Sequence, residues 1–171
     1  MVDNLEDMKK LAFELGYKYE GTYGACSQAT MRALQEVYEE KSSVLFKGMT
    51  GFAGGCGIEG DGICGAYAAS IFYISLRVGR VLEDLDKDPD DPSAEKILFK
   101  NFGIVKKLHE KFIEKYGSII CHQIHRKLYG RPYYISDPEE LKKFDDKGAH
   151  DWGCTAVCGD AALWTVEILG I

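Results

Sequence analysis

Apolar residues recur at steps of three and four along most of this sequence. Near the start, Leu5, Met8, Ala12 and Leu15 follow such steps, and later segments repeat the spacing. These steps place side chains on one face of an α-helix, whereas a half-buried strand alternates apolar and polar residues. The sequence contains no convincing alternation of that kind. We therefore predict an all-α fold, a single-domain bundle of about six to eight helices over residues 1–171.

Glycines, caps and apolar stripes set the expected limits of the helices. Gly16 is expected to end the first helix, and Ser93 is expected to cap a long one. The buried stripe of that long helix is predicted to be Leu98, Phe102, Val105, Leu108 and Phe112. Other helices are expected over residues 25–40, 43–50, 118–130, 137–144 and 152–169.

The segment 64–78 is predicted to be the central helix of the bundle. It is rich in glycine, alanine and serine, which let neighbouring helices approach closely. Six glycines lie just before it, between residues 51 and 62. Gly55 to Gly60 matches the G-x-G-x-x-G pattern of dinucleotide-binding folds, but no predicted strand precedes it, so this match is weak. A tight packing loop without a ligand remains an alternative.

An acidic segment lies between Glu83 and Glu95, where seven acids accompany one lysine. This composition predicts a solvated surface loop. Asp86, Asp88 and Asp90 alternate as in a calcium loop. However, Pro89 interrupts the pattern and residue 97 is isoleucine instead of the required glutamate, so we reject a calcium site.

Charge and hydropathy exclude several functional classes. The chain has 21 Lys plus Arg against 27 Asp plus Glu, a formal net charge of -6, so a nucleic-acid-binding surface is not indicated. The uncharged run from residue 62 to residue 76 is shorter than the roughly 20 residues that span a bilayer. Residues 1–10 are too charged for a secretory signal. We expect a cytoplasmic protein without membrane insertion.

Six cysteines point most directly to chemistry, and in a cytoplasmic chain they favour metal binding or redox chemistry over structural disulfides. They are Cys26, Cys56, Cys64, Cys121, Cys154 and Cys158. The absence of C-x-x-C argues against zinc ribbons, thioredoxin-like sites and common ferredoxin spacings. The spacing alone does not name a metal.

Four of these cysteines, at positions 26, 64, 121 and 154, lie in or beside predicted opening turns of helices. A helix start offers unpaired N–H groups and partial positive charge, which lower a thiol pKa and stabilise anions. An iron–sulfur cluster held by four thiolates is such an anionic centre. Gly55, Gly57 and Gly65 are candidate cofactor-binding residues, because unhindered backbone N–H groups form anion nests.

The other candidate ligands are weaker. Cys154 and Cys158 stand four apart, which on a helix is too far for a relaxed disulfide, so both could face one cluster. Cys158 could equally be a buried apolar residue. His122 and His125 could supply nitrogen ligands but are expected at the surface.

Four separated motifs, in order, resemble the C_GCAxxG_C_C family of redox-active proteins. They are Cys26-Ser27-Gln28-Ala29, a glycine-rich loop into Cys64-Gly65-Ala66, Gly117 to Cys121, and Cys154 before Gly159-Asp160. The resemblance covers roughly residues 24–169 and has Ala69 in place of the family's second glycine. It implies a small helical protein with four characteristic cysteines, at positions 26, 64, 121 and 154, in a domain also used with an iron–sulfur centre in certain multihaem cytochromes. Cys56 and Cys158 look like additions that leave the ligand count open.

Three functional hypotheses follow. The leading one is a redox protein that transfers electrons through an iron–sulfur cluster, with Cys56 or Cys158 as alternative ligands and an unknown protein as redox partner. The second is a metal-free thiol–disulfide oxidoreductase with activated cysteines. The third is a binding module whose cysteines pack or hold structural zinc. A homodimer is possible, and whether any substrate is turned over stays open.

Overall fold

The computed structural model describes residues 4–86 and 91–170, in which eight α-helices and no β-strand occur. The helices are α1 (Leu5–Tyr23), α2 (Cys26–Val37), α3 (Ser43–Gly48), α4 (Gly65–Val78), α5 (Pro92–Tyr116), α6 (Cys121–Tyr129), α7 (Pro138–Asp146) and α8 (Cys154–Leu169). The prediction of an all-α bundle is confirmed.

Short irregular turns connect some of these helices. Two are 3-10 turns, Thr50–Phe52 and Leu82–Leu85, and the third is a π-helical turn, Ala149–Gly153, directly before α8. The second 3-10 turn and the start of α5 occupy much of the segment predicted as an acidic loop. Asp88, Pro89 and Asp90, on which the rejected calcium site depended, lie outside the described residues.

Two helices, α4 and α8, form the centre of the bundle. One core cluster lies among α1, α2, α4 and α8, and another lies among α4, α5, α6 and α8. The prediction of α4 as a central helix is confirmed, and α8 shares that position. Both helices contain small residues, which let neighbours pack closely on more than one side. None of the described helices has both the length and the apolarity needed to cross a bilayer.

Gly16 does not end α1, and this prediction is wrong. The helix continues through Gly16 to Tyr23. Gly16 instead lies where two helices meet, because a Cβ atom at this position would be 2.6 Å from the Cys158 carbonyl oxygen of α8. The glycine therefore lets the backbones of α1 and α8 approach closely. The longer helix carries Glu20, a buried residue, beyond the predicted end.

Two details of α5 also differ from prediction. Its N-cap is Asp91, whose side chain accepts a hydrogen bond from the Ser93 backbone N–H at 2.8 Å, and proline occupies the first helical position. Ser93 is therefore inside the helix. Phe102, predicted in the buried stripe, is 54% exposed, whereas Leu108 and Phe112 are buried in the core cluster that α5 shares with α4, α6 and α8.

Candidate functional site at the starts of four helices

Five of the six cysteines line one cavity of about 310 Å³. They are Cys26, Cys64, Cys121, Cys154 and Cys158. The rest of the wall is mainly apolar, with Ile58 from the glycine-rich loop, Ile124 from α6 and Phe144 from α7. Chain segments that are distant in sequence therefore bring most of the thiols of this protein to one place.

The four cysteines predicted at helix starts are found there. Cys26, Cys121 and Cys154 are the first residues of α2, α6 and α8, and Cys64 is the N-cap residue of α4. The first turn of each helix therefore lies beside the cavity. Cys158 follows one turn into α8 and reaches the same cavity.

Backbone pairing between two loops holds Cys64 and Cys121 next to each other. Ile63 and Ile120 form an isolated antiparallel bridge. The Cys64 N–H donates to the Ile119 carbonyl at 2.7 Å, and the Cys121 N–H donates to the Gly62 carbonyl at 3.0 Å. The starts of α4 and α6 are thereby fixed relative to each other, although 56 residues lie between the two cysteines in sequence.

The three glycines predicted to bind a cofactor have different surroundings. A Cβ atom on Gly65 would lie 2.6 Å from Cys26 Sγ, and one on Gly55 would lie 2.8 Å from Cys121 Cβ. Both glycines therefore pack directly against cavity cysteines. A Cβ atom on Gly57 would meet no described atom within 4 Å. Gly54, which the sequence analysis did not select, lines the cavity.

Cys56 lies apart from the other five cysteines. Its side chain is exposed, its backbone is left-handed with a φ of 67°, and it is not among the residues that line the cavity. All six cysteines are free thiols. The structure therefore separates one accessible thiol from a group of five that share a cavity.

Burial dominates the ionisation of the cavity thiols. It raises the pKa of Cys64 to about 11 and raises the pKa values of the other four cavity cysteines above the ordinary thiol value as well. The expectation that helix starts would lower the thiol pKa is therefore wrong for these residues. Desolvation of a thiolate in an apolar cavity outweighs the favourable field of a helix start.

Several groups nevertheless favour negative charge on the cavity sulfurs. The backbone amides of Ala66 and Tyr67 act to lower the pKa of Cys64, and that of Gly54 acts to lower the pKa of Cys26, against the larger effect of burial. The Tyr129 hydroxyl donates to Cys154 Sγ at 3.6 Å. Such donors stabilise negative charge on sulfur.

Glu20 is a carboxylate in the same cavity. Only 3% of the residue is exposed, and its Oε1 atom lies 3.9 Å from His150 Nε2. Its Oε2 atom has no hydrogen-bond partner among the described residues. Burial raises the pKa of Glu20 to about 7, an effect that His150 and Cys158 partly oppose.

The expectation that His122 and His125 lie at the surface is wrong. Both are buried. His125 lines the cavity and contacts the aromatic rings of Tyr133 and Phe144. His125 Nε2 lies 3.5 Å from Cys121 Sγ, and burial lowers the pKa of His125 to about 4. His122 instead contacts the Tyr133 carbonyl oxygen through Nε2, at 3.0 Å.

Within residues 4–86 and 91–170, no three His, Cys, Asp or Glu side chains are grouped so that they could hold a metal ion. Comparison with family models gives one match, over residues 24–168, to the family described as "Putative redox-active protein (C_GCAxxG_C_C)". The chain belongs to this family. Comparisons with curated proteins and with solved structures found no match.

Membership of the C_GCAxxG_C_C family confirms the resemblance seen in the sequence, and the matched residues 24–168 agree with the predicted range of 24–169. The matched region contains all six cysteines and begins directly after α1. Glu20 therefore lies outside the C_GCAxxG_C_C match, although its side chain lines the cysteine cavity.

The sequence analysis missed Glu20 and Tyr129 as neighbours of the thiols. A signal for Glu20 was present: Ala12, Gly16 and Glu20 continue the buried face of α1 at steps of four. No comparable signal marks Tyr129, because its contact with Cys154 depends on how α6 packs beside α8.

Proposed function

We propose that this protein binds an iron–sulfur cluster through Cys26, Cys64, Cys121 and Cys154 and uses it to transfer electrons. The observation that carries the proposal is that these thiols, from the starts of four helices, line one cavity. Cysteine thiolates are the usual ligands of iron–sulfur clusters. The redox-active description of the family supports the same class of function.

The residues present fit such a group by their chemistry and by their arrangement. The raised pKa values mean that the thiols ionise in the cavity only when a cation compensates the charge, as metal binding does. A cluster of several iron and sulfide ions takes its ligands from around a volume, so its thiolates need not converge on one point as they would at a zinc ion. When bound, the cluster supplies a redox couple whose potential the protein sets.

The protein's own groups have two roles in this proposal. The Tyr129 hydroxyl donates to Cys154 Sγ, and the backbone amides of Gly54, Ala66 and Tyr67 favour negative charge on Cys26 and Cys64. These groups favour the more negative, reduced state and raise the potential. The mainly apolar walls bury Cys64, Cys121 and Cys158. The net charge of -6 favours a basic protein as redox partner.

The test uses protein purified without oxygen. We expect broad visible absorption that bleaches with dithionite, together with iron and acid-labile sulfide in similar amounts. Serine replacements at positions 26, 64, 121 and 154 should each remove or alter this absorption. The matched control is Cys56→Ser, which changes the exposed thiol outside the cavity and should retain the cluster.

Two results would contradict the proposal. One is unchanged iron and sulfide content in all four cavity variants. The other is a colourless wild-type protein that fails to take up iron and sulfide during anaerobic reconstitution. Zinc in place of iron in the purified protein would instead favour a structural metal site.

A further inference from the structure

We infer that Glu20 is an oxygen ligand of the metal centre in the cysteine cavity, in addition to the thiolates. This inference rests on the proposed function and adds a residue to it. Glu20 belongs to α1 and precedes the region that matches the family. The family match therefore does not include it.

The position of the Glu20 carboxylate is the first argument. The side chain lines the same cavity as the five cavity cysteines, and Oε2 has no hydrogen-bond partner among the described residues. Buried polar atoms in folded proteins are nearly always paired, and the neighbouring Cys158 thiol is only a weak donor, so the unpaired Oε2 indicates a partner that the protein chain does not supply.

The surroundings of Glu20 do not supply a full counter-charge. Among the described residues that line the cavity there is no lysine or arginine. His150 is the nearest basic side chain, but its Nε2 lies 3.9 Å from Oε1, beyond hydrogen-bond distance. Its Nδ1 is engaged by Asp145 at 2.8 Å. A cation within the cavity is therefore the partner that best satisfies the carboxylate, and carboxylates are established ligands of iron.

The packing of α1 holds Glu20 in place. Ala12 and Gly16 precede it at steps of four, both are buried, and Gly16 meets the backbone of α8 at Cys158. An acidic residue thus occupies the next position on a packed helix face, beside the helix that carries Cys154 and Cys158. Charged residues at such positions are rare unless they are paired or bind a metal.

The experiment is Mössbauer spectroscopy on anaerobically reconstituted protein enriched in iron-57. We compare wild type with Glu20→Gln, Glu20→Asp and the control Glu14→Gln. Glu14 lies on the same helix, but its side chain is 59% exposed and faces Lys10. In wild type and the control we expect a subset of iron whose isomer shift is higher than that of thiolate-coordinated iron. Both Glu20 variants should lose it, because Gln lacks the charge and Asp is one methylene shorter.

The possible outcomes separate this inference from the proposed function. Wild-type iron that is uniformly thiolate-coordinated overturns the ligand assignment while leaving the cluster intact, and this result does not depend on whether any variant folds. Superimposable spectra for wild type and Glu20→Gln, with or without a shifted potential, also overturn it, since Glu20 would then be a neighbouring charge. A wild-type chain that takes up no iron and sulfide overturns both proposals.

Discussion

Replacing Gly65 by alanine should destabilise the protein and displace Cys26. The added Cβ would lie 2.6 Å from Cys26 Sγ, 2.8 Å from the Phe52 carbonyl oxygen and 3.0 Å from the Ser27 backbone nitrogen. Two of these three atoms belong to the backbone and cannot rotate away. The starts of α2 and α4 must therefore move apart, or the sulfur must leave its position.

The expected size of the effect follows from two opposing terms. Overpacking a well-packed core costs about 1–3 kcal/mol. Alanine is favoured over glycine in a helix interior by about 1 kcal/mol, and this gain is smaller at the first position of α4. We therefore expect a net loss of about 1–2 kcal/mol in the free energy of unfolding. For a domain of this size that loss lowers the melting temperature by roughly 2–8 °C.

Gly103→Ala is the matched control. Gly103 lies in the interior of α5, and a Cβ atom there would meet no described atom within 4 Å. Only the helix-propensity term applies, so this variant should gain about 1 kcal/mol and melt roughly 2–4 °C higher. The same substitution is thus expected to have opposite signs at the two sites.

Thermal unfolding of the metal-free proteins, followed by circular dichroism at 222 nm, measures both effects. Iron content after anaerobic reconstitution measures the consequence for Cys26: it should fall for Gly65→Ala and stay unchanged for Gly103→Ala. A Gly65→Ala protein that melts at or above the wild-type temperature would refute the packing argument.

Three further predictions concern titration, thiol access and potential. Burial raises the pKa of Glu20 from 4.5 to about 7, so the folded metal-free protein retains a proton that the unfolded chain releases. Its free energy of unfolding should therefore fall by up to about 3 kcal/mol as the pH rises from 4.5 to 7, and urea midpoints for Glu20→Gln should lack this decline. Brief iodoacetamide treatment of the native metal-free protein should add one group, at Cys56, as mass spectrometry can check, because burial keeps the other thiols protonated and shielded. Fast labelling of a second cysteine would favour the thiol–disulfide hypothesis. Tyr129→Phe removes a hydrogen bond of about 1 kcal/mol to Cys154 and should lower the potential of a bound one-electron centre by roughly 40 mV in a redox titration, whereas an unchanged potential would argue against a tuning role.

Much of the fold and the cysteine positions could be predicted because they depend on local signals. The helical spacing of apolar residues indicates the helices, and Asp137 stands directly before a proline, an order typical of a helix start, and caps α7. The same local reasoning places Cys26, Cys64, Cys121 and Cys154 at helix starts. These features depend mainly on residues within one or two turns of each other.

The incorrect predictions depend on contacts between distant segments. Gly16 has the local character of a helix end, but its packing partner is the backbone of α8. His125 is buried because it packs against Phe144 of α7, 19 residues away in sequence, and this contact outweighs the usual exposure of histidine. The thiol pKa values were predicted in the wrong direction because the field of a helix start is local, whereas desolvation arises from the whole cavity.

The position of α8 has a consequence for the order in which the protein matures. This helix packs against α1, α2, α4 and α5 and contributes Cys154 and Cys158, so the wall of the cavity is complete only after α8 has docked. A ribosome releases α1 and α2 long before it reaches residue 154. Until then a nascent chain exposes Cys26, Cys64 and Cys121 without their shared enclosure. The full set of cavity thiols is therefore available to a cofactor only after translation has passed α8.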